Sequence, residues 1–194
     1  MIRNSTGSPT KSINTKSGVL LTEPWSSSMY FDAPVENRVR FSTDFFSEVR
    51  VKGIQKFIND LTLGEPTIDL FISLEYNRRK KYIAKNLSKR ICLVNWKEYK
   101  LTSEEFDLDD GFGKIASIKD VPVSEAILYT IDVLLNKNTC AFNALFIIVT
   151  SKYLIHFGAS GDVINILSND PKNIDYIKMG YKGIFDTVHD EPLS

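Results

Sequence analysis

At 194 residues, with 43% hydrophobic and 25% charged positions, the chain is long enough to bury one substantial core, short for two, and too apolar for wholesale disorder. It has no run of about 18 apolar residues, the longest candidate being Ala141 to Thr150, and no basic patch followed by an apolar stretch in its first thirty, so neither a membrane helix nor a secretion signal is expected and the expected address is cytoplasmic. The formal net charge of zero is a cancellation: 14 basic against 7 acidic residues from Asn37 to Thr102 leave +7, and 7 basic against 14 acidic from Ser103 to Ser194 leave −7, a pattern that points to binding before chemistry.

In chain order, residues 1–17 are rich in Ser, Thr, Asn, Gly and Lys without apolar periodicity, and are predicted to form a flexible tail. A single domain over 18–188 follows, with a loose C-terminus at 189–194. Trp25, Tyr30 and Phe31 are the first residues expected to dock. Val39 and Phe41 alternate with Arg38 and Arg40, which predicts a short half-exposed strand. After the Ser42-Thr43-Asp44 cluster, Phe46, Val49, Ile54, Phe57, Ile58 and Leu61 fall at helical spacing, with Gly64 and Pro66 as the stop. Gly53 inside that helix costs about 1 kcal/mol against Ala, so a strand over Ser47 to Val51 with a shorter helix behind it is the alternative.

Ile68 to Tyr76 carries Ile68, Leu70, Ile72 and Leu74 on one face and Phe71 on the other, and reads as a largely buried strand. The basic stretch Asn77 to Ser88 has only Tyr82, Ile83 and Leu87 as apolar anchors for a solvated helix. Ile91 to Trp96 is predicted as a central strand, and Ser103 to Gly113 as an acidic loop. Val123 to Leu135 is the clearest helix, with Val123, Ile127, Ile131, Leu134 and Leu135 on one face. A meander of Ala144 to Thr150, Tyr153 to Phe157 and Val163 to Leu167 follows. Asp170-Pro171 starts a last helix carrying Ile174 and Ile177. This order lacks strict strand–helix alternation and predicts an α+β fold: an antiparallel or mixed sheet with helices mainly on one face.

Chemistry-bearing motifs fail on their context. Gly111-Phe112-Gly113-Lys114-Ile115-Ala116 has the glycine spacing of a dinucleotide loop, but Asp107, Asp109 and Asp110 precede it and would repel a pyrophosphate. The same acids fit no EF-hand, since Phe112 and Ile118 stand where Gly and an acid are required. Asp69 with Glu98-Tyr99-Lys100 has the composition of a magnesium-dependent nuclease, yet roughly two acid-x-Lys triplets arise by chance in such a chain. His156 and His189 are the only histidines and read as structural, and Gly158-Ala159-Ser160-Gly161 reads as a hairpin turn. Cys92 and Cys140 sit in apolar runs and are expected to be buried thiols. No catalytic residue, metal or cofactor is expected.

Two clusters remain as binding candidates. Arg78, Arg79, Lys80, Lys81, Lys85, Lys89 and Arg90, with Tyr76, Tyr82, Trp96 and Tyr99 nearby, pair cations for phosphates with rings for bases. Glu104, Glu105, Asp107, Asp109 and Asp110, flanked by Phe106 and Phe112, offer a basic protein charge complementarity and apolar anchors. With segregated charge on a compact domain from Val19 to Ile184, the chain resembles the immunity proteins of bacterial toxin–immunity systems, including those of contact-dependent growth inhibition. That resemblance implies stoichiometric neutralisation of a cognate toxin, often a nuclease, by occluding its active site. Nucleic-acid binding through the basic cluster, with or without nuclease action, and a scaffold role are the alternatives.

Overall fold

The computed structural model describes residues 12–22, 28–42, 50–73, 91–92, 95–100, 114–135, 146–157 and 163–187. Among them the chain forms β1 (Ser12–Asn14), β2 (Leu20–Thr22), α1 (Ser28–Asp32), β3 (Arg38–Ser42), α2 (Arg50–Leu61), β4 (Thr67–Ser73), β5 (Trp96–Lys100), β6 (Lys114–Pro122), α3 (Val123–Leu135), β7 (Phe146–Val149), β8 (Leu154–Phe157), β9 (Val163–Leu167) and α4 (Pro171–Gly180). β1 and β2 make a small hairpin. The other seven strands form one sheet in the order β3-β9-β8-β7-β4-β6-β5, and every neighbouring pair is antiparallel. The fold is α+β, and its sheet is antiparallel rather than mixed.

Period-two alternation in each strand, locked by the register, sorts the side chains into two faces. On the first face Val39, Ile166, Ile155, Ile148, Leu70, Ile118 and Trp96 stand side by side across all seven strands, and all are buried. Onto this row pack Ile54, Phe57, Ile58 and Leu61 of α2, Ala126, Ile127 and Tyr129 of α3, and Ile174 and Ile177 of α4. Each Ile, Leu or Phe among them contributes about 1.5–3 kcal/mol by leaving water. On the second face Phe71, Ile147, Val149, Leu154 and Leu167 cluster with Tyr30 of α1, and Val19, Phe31 and Ala33 pack against them. Three large helices thus cover one face and an N-terminal strap the other.

Local chemistry sets the ends of the elements. α2 includes Gly53 and runs to Leu61, and Gly64, at φ 86°, turns the chain toward β4. The alternative of a strand over 47–51 fails at Arg50 and Val51, which are helical, while 43–49 lie outside the described residues. Asp170 caps α4 by accepting the Lys172 N–H at 3.1 Å, with Pro171 in the first turn. In the turn between β7 and β8, Thr150 Oγ1 accepts the N–H groups of Lys152 (3.2 Å) and Tyr153 (2.9 Å). No helix among the described residues is long and apolar enough to cross a membrane.

Several expectations change. The strand predicted over Ile91 to Trp96 begins only at Trp96 and lies at the sheet edge, not its centre; Ile91 turns into the core while Cys92 beside it is exposed. An apolar run outside the ladder buries only the side chains that meet the core, so the Cys92 thiol is not the buried one expected. Cys140 lies outside the described residues. β3 is not half exposed: Arg38 and Arg40 are buried at 2% and 8% exposure because α1 folds over them. Residues 12–17, assigned to the tail by composition, supply β1 and the turn before β2. Thr15 Oγ1 donates to the Val19 carbonyl at 2.6 Å, and Lys16 Nζ to the Thr67 carbonyl at 2.8 Å. Gly18, at φ 77°, lies so near the Asn169 side chain that a Cβ there would come within 2.7 Å of it.

Candidate functional site

Both clusters singled out in the sequence, the acids Glu104, Glu105, Asp107, Asp109 and Asp110 with Phe106 and Phe112, and the cations Arg78, Arg79, Lys80, Lys81, Lys85, Lys89 and Arg90, lie outside the described residues. Their points of attachment do not. Lys100 at the end of β5 pairs directly with Lys114 at the start of β6, so both ends of the acidic segment meet at one corner of the sheet. Ser73, from which the basic segment departs, pairs with Ile115 at the same end of the sheet. The basic segment returns near the opposite end, where the Cys92 N–H donates to Glu125 Oε2 in the first turn of α3 at 3.3 Å.

The carboxylates of the nuclease-like combination are not brought together. On β4, Asp69 aligns with Val149 on the second face, whereas Glu98 aligns through Ala116 with Ile72 on the first. A sheet stands between the two, so they cannot share a magnesium ion. Asp69 Oδ1 accepts the Asp120 N–H at 3.2 Å and lies 3.9 Å from Lys16 Nζ. Glu98 Oε1 accepts the indole N–H of Trp96 at 2.9 Å, within the barrier of the sheet's covered face. Among the described residues no three His, Cys, Asp or Glu side chains are grouped to hold a metal.

Among the described residues a buried polar row crosses three strands, one that no sequence motif marks. Register places Arg40, Asn165 and His156 side by side on β3, β9 and β8, continuing the row Ile147, Phe71 and Ser117 across the second face. Arg40 Nε donates to Asn165 Oδ1 at 2.7 Å, and Asn165 Nδ2 meets His156 Nδ1 at 3.2 Å. Arg38, one step along β3 on the same face, donates through Nη1 to the carbonyls of Tyr30 (2.9 Å) and Phe31 (2.7 Å). Above these groups lie two rings. The Arg40 guanidinium carbon is 4.3 Å from the centre of the Tyr30 ring and 4.9 Å from that of Phe31, and Arg38 is 4.9 and 5.8 Å from the same two. Contacts of this kind, when desolvated, stabilise by about 2 kcal/mol.

Burial acts on the titratable members of the row. It pushes the His156 imidazole down from 6.5 to about 4, with the Arg40 charge adding to the effect. It also lowers the Arg40 guanidinium from its ordinary value, against the opposing influence of Tyr30 and Asp186. His156 is buried within this row; His189 lies outside the described residues. The available signal was a polar residue at the inward period of an apolar strand, as with Asn165 between Ile164 and Ile166. Comparison with protein-family models, with curated proteins and with solved structures finds no match for this chain.

Proposed function

We propose that this is a non-enzymatic binding protein of the immunity type, which neutralises a cognate bacterial toxin by laying its acidic segment over the toxin's active site. The observation that carries this reading is the direct pairing of Lys100 with Lys114, the two residues that bracket the segment. Five carboxylates within the seven positions from Glu104 to Asp110, leaving and returning at one corner, repel one another until cations of a partner relieve them. Phe106 and Phe112 supply apolar anchors beside that charge. The placement of Asp69 and Glu98 on opposite faces of the sheet supports binding over cleavage.

The test is co-expression with a panel of bacterial toxin domains, among them any encoded by the neighbouring genes. The parent chain should restore growth, and Asp109→Lys with Asp110→Lys should lower the association rate about tenfold at low salt and remove protection. Removing the Phe106 ring should act mainly on dissociation. Protection that survives both changes would move the interface elsewhere. A chain that protects against no toxin and binds DNA or RNA through Arg78 to Arg90, with affinity falling steeply with salt, would be a nucleic-acid-binding protein instead.

A further inference from the structure

α1 is fastened to the sheet by guanidinium groups rather than by a strand ladder. Arg38 holds the carbonyls of Tyr30 and Phe31, and both arginines stack on the two rings. Arg40 is in turn aimed by Asn165. An arginine Nε–H only donates, so Asn165 must offer it the amide oxygen, which turns the amide nitrogen toward His156. That nitrogen needs an acceptor, and an imidazole Nδ1 accepts only when it carries no proton. The three side chains are therefore satisfied together only while His156 is neutral, with its proton on Nε2. A proton on Nδ1 leaves two donors competing for one amide oxygen in a buried site, and sets a second positive charge beside Arg40.

We propose that Arg40, Asn165 and His156 form a proton-sensitive latch: protonation of His156 releases residues 28–33 from the sheet and uncovers the apolar face of Phe71, Ile147, Val149, Leu154 and Leu167. The titratable and charged groups around His156 among the described residues are few. β3 brings Arg40 and Arg38, α1 brings Tyr30, and the C-terminal stretch brings Asp186, whose charge acts on Arg40. The flanking strands present Asn165 and Ile147, which do not titrate. The sign follows from burial. Above pH 6.5 His156 is neutral with the strap closed or open, and nothing pulls it open. From 6.5 down to about 4 the open form takes up a proton that the closed form refuses, so the ratio of closed to open falls about tenfold per pH unit.

Amide hydrogen exchange on the full chain between pH 7 and 4, corrected for intrinsic rates, tests this directly. Opening of 28–33 should rise about tenfold per unit below pH 6.5 while Ile155 and Ile148 in the central strands stay protected. In His156→Gln, which does not titrate, the opening should be flat with pH. Asn165→Asp gives a carboxylate that accepts from both neighbours, and should keep the strap closed in acid while raising the His156 imidazole above its value in the parent. The proposal is overturned if His156→Gln opens with the parent's pH slope, or if the parent shows no slope. Should His156→Gln fail to fold, NMR titration of His156 in the parent and in Asn165→Asp decides: an imidazole titrating at its ordinary value without change in the Tyr30 and Phe31 amides would equally sink it.

Discussion

The backbone N–H of Asp120 donates to Asp69 Oδ1 at 3.2 Å, and Asp120 is the one described non-glycine residue with positive φ, at 57°. The cause lies in the ladder. β6 pairs Val121 with Ile68 and Ile118 with Leu70, so two residues of β6, Lys119 and Asp120, stand against the single Asp69 of β4. This bulge turns the Asp120 N–H onto a carboxylate that is only 4% exposed.

The bulge makes a first prediction. Asp120→Gly should leave stability unchanged or slightly raised, because glycine adopts this φ freely, whereas Asp120→Val should cost about 1–2 kcal/mol. Asp69→Ala removes the acceptor from the Asp120 N–H and should cost about 1–3 kcal/mol, while Lys16→Ala, at a partly exposed ion pair, should cost less than about 1. Urea unfolding of the four variants gives the ranking. Equal losses for Asp69→Ala and Lys16→Ala would mean that the ion pair, not the bulge, is what Asp69 supports.

A second prediction concerns Ser117, fully buried in the row beside Phe71, whose hydroxyl has no hydrogen-bond partner among the described residues. Ser117→Ala removes an unsatisfied buried group and should stabilise the protein by up to about 1 kcal/mol. Phe71→Ala at the adjacent position should cost about 3–5 kcal/mol through the cavity it leaves. Thermal melts suffice to compare them, and a Ser117→Ala variant that melts well below the parent would show that the hydroxyl is satisfied after all.

Alkaline stability gives a third. Tyr181 lies against Phe57 and Phe41 with ring centres 4.8 and 5.9 Å apart, and its hydroxyl donates to Asp60 Oδ2. Burial, reinforced by the Asp60 carboxylate, pushes the phenol well above its ordinary value of 10.0. A raised phenol stays neutral in the folded chain while the unfolded one ionises, so stability is intact below about pH 10 and is lost as pH rises beyond it. Tyr181→Phe should be somewhat less stable at neutral pH and should lose less between pH 10 and 11 than the parent does. Identical alkaline slopes in urea titrations would exclude Tyr181 as the source.

The elements themselves were legible from the sequence wherever an apolar stripe at helical spacing or a short apolar run bounded by turn residues marked them. Val123–Leu135 follows from its apolar stripe, α4 from Asp170-Pro171 with Ile174 and Ile177, and β7, β8 and β9 from three short β-branched runs with turn residues between them. Periodicity reports which side of an element is apolar, and it does so through neighbours a few residues away. It carries nothing about which strand lies beside which. The order β3-β9-β8-β7-β4-β6-β5 brings Arg40 beside Asn165, more than a hundred residues along the chain, and Asn165 beside His156 of the next strand, and only that register makes one hydrogen-bonded row of them. The same long-range pairing put Asp69 and Glu98 on opposite faces and set β5 at the edge. Arg38 and Arg40 looked solvated because alternation with Val39 and Phe41 is what a half-exposed strand shows; what buries them is α1, whose Tyr30 and Phe31 rings reach them from outside the sheet. The charge segregation belongs to the sequence alone, since composition along the chain is independent of folding. Where its two blocks attach was decided by the tertiary structure, through the pairing of Lys100 with Lys114 and of Ser73 with Ile115.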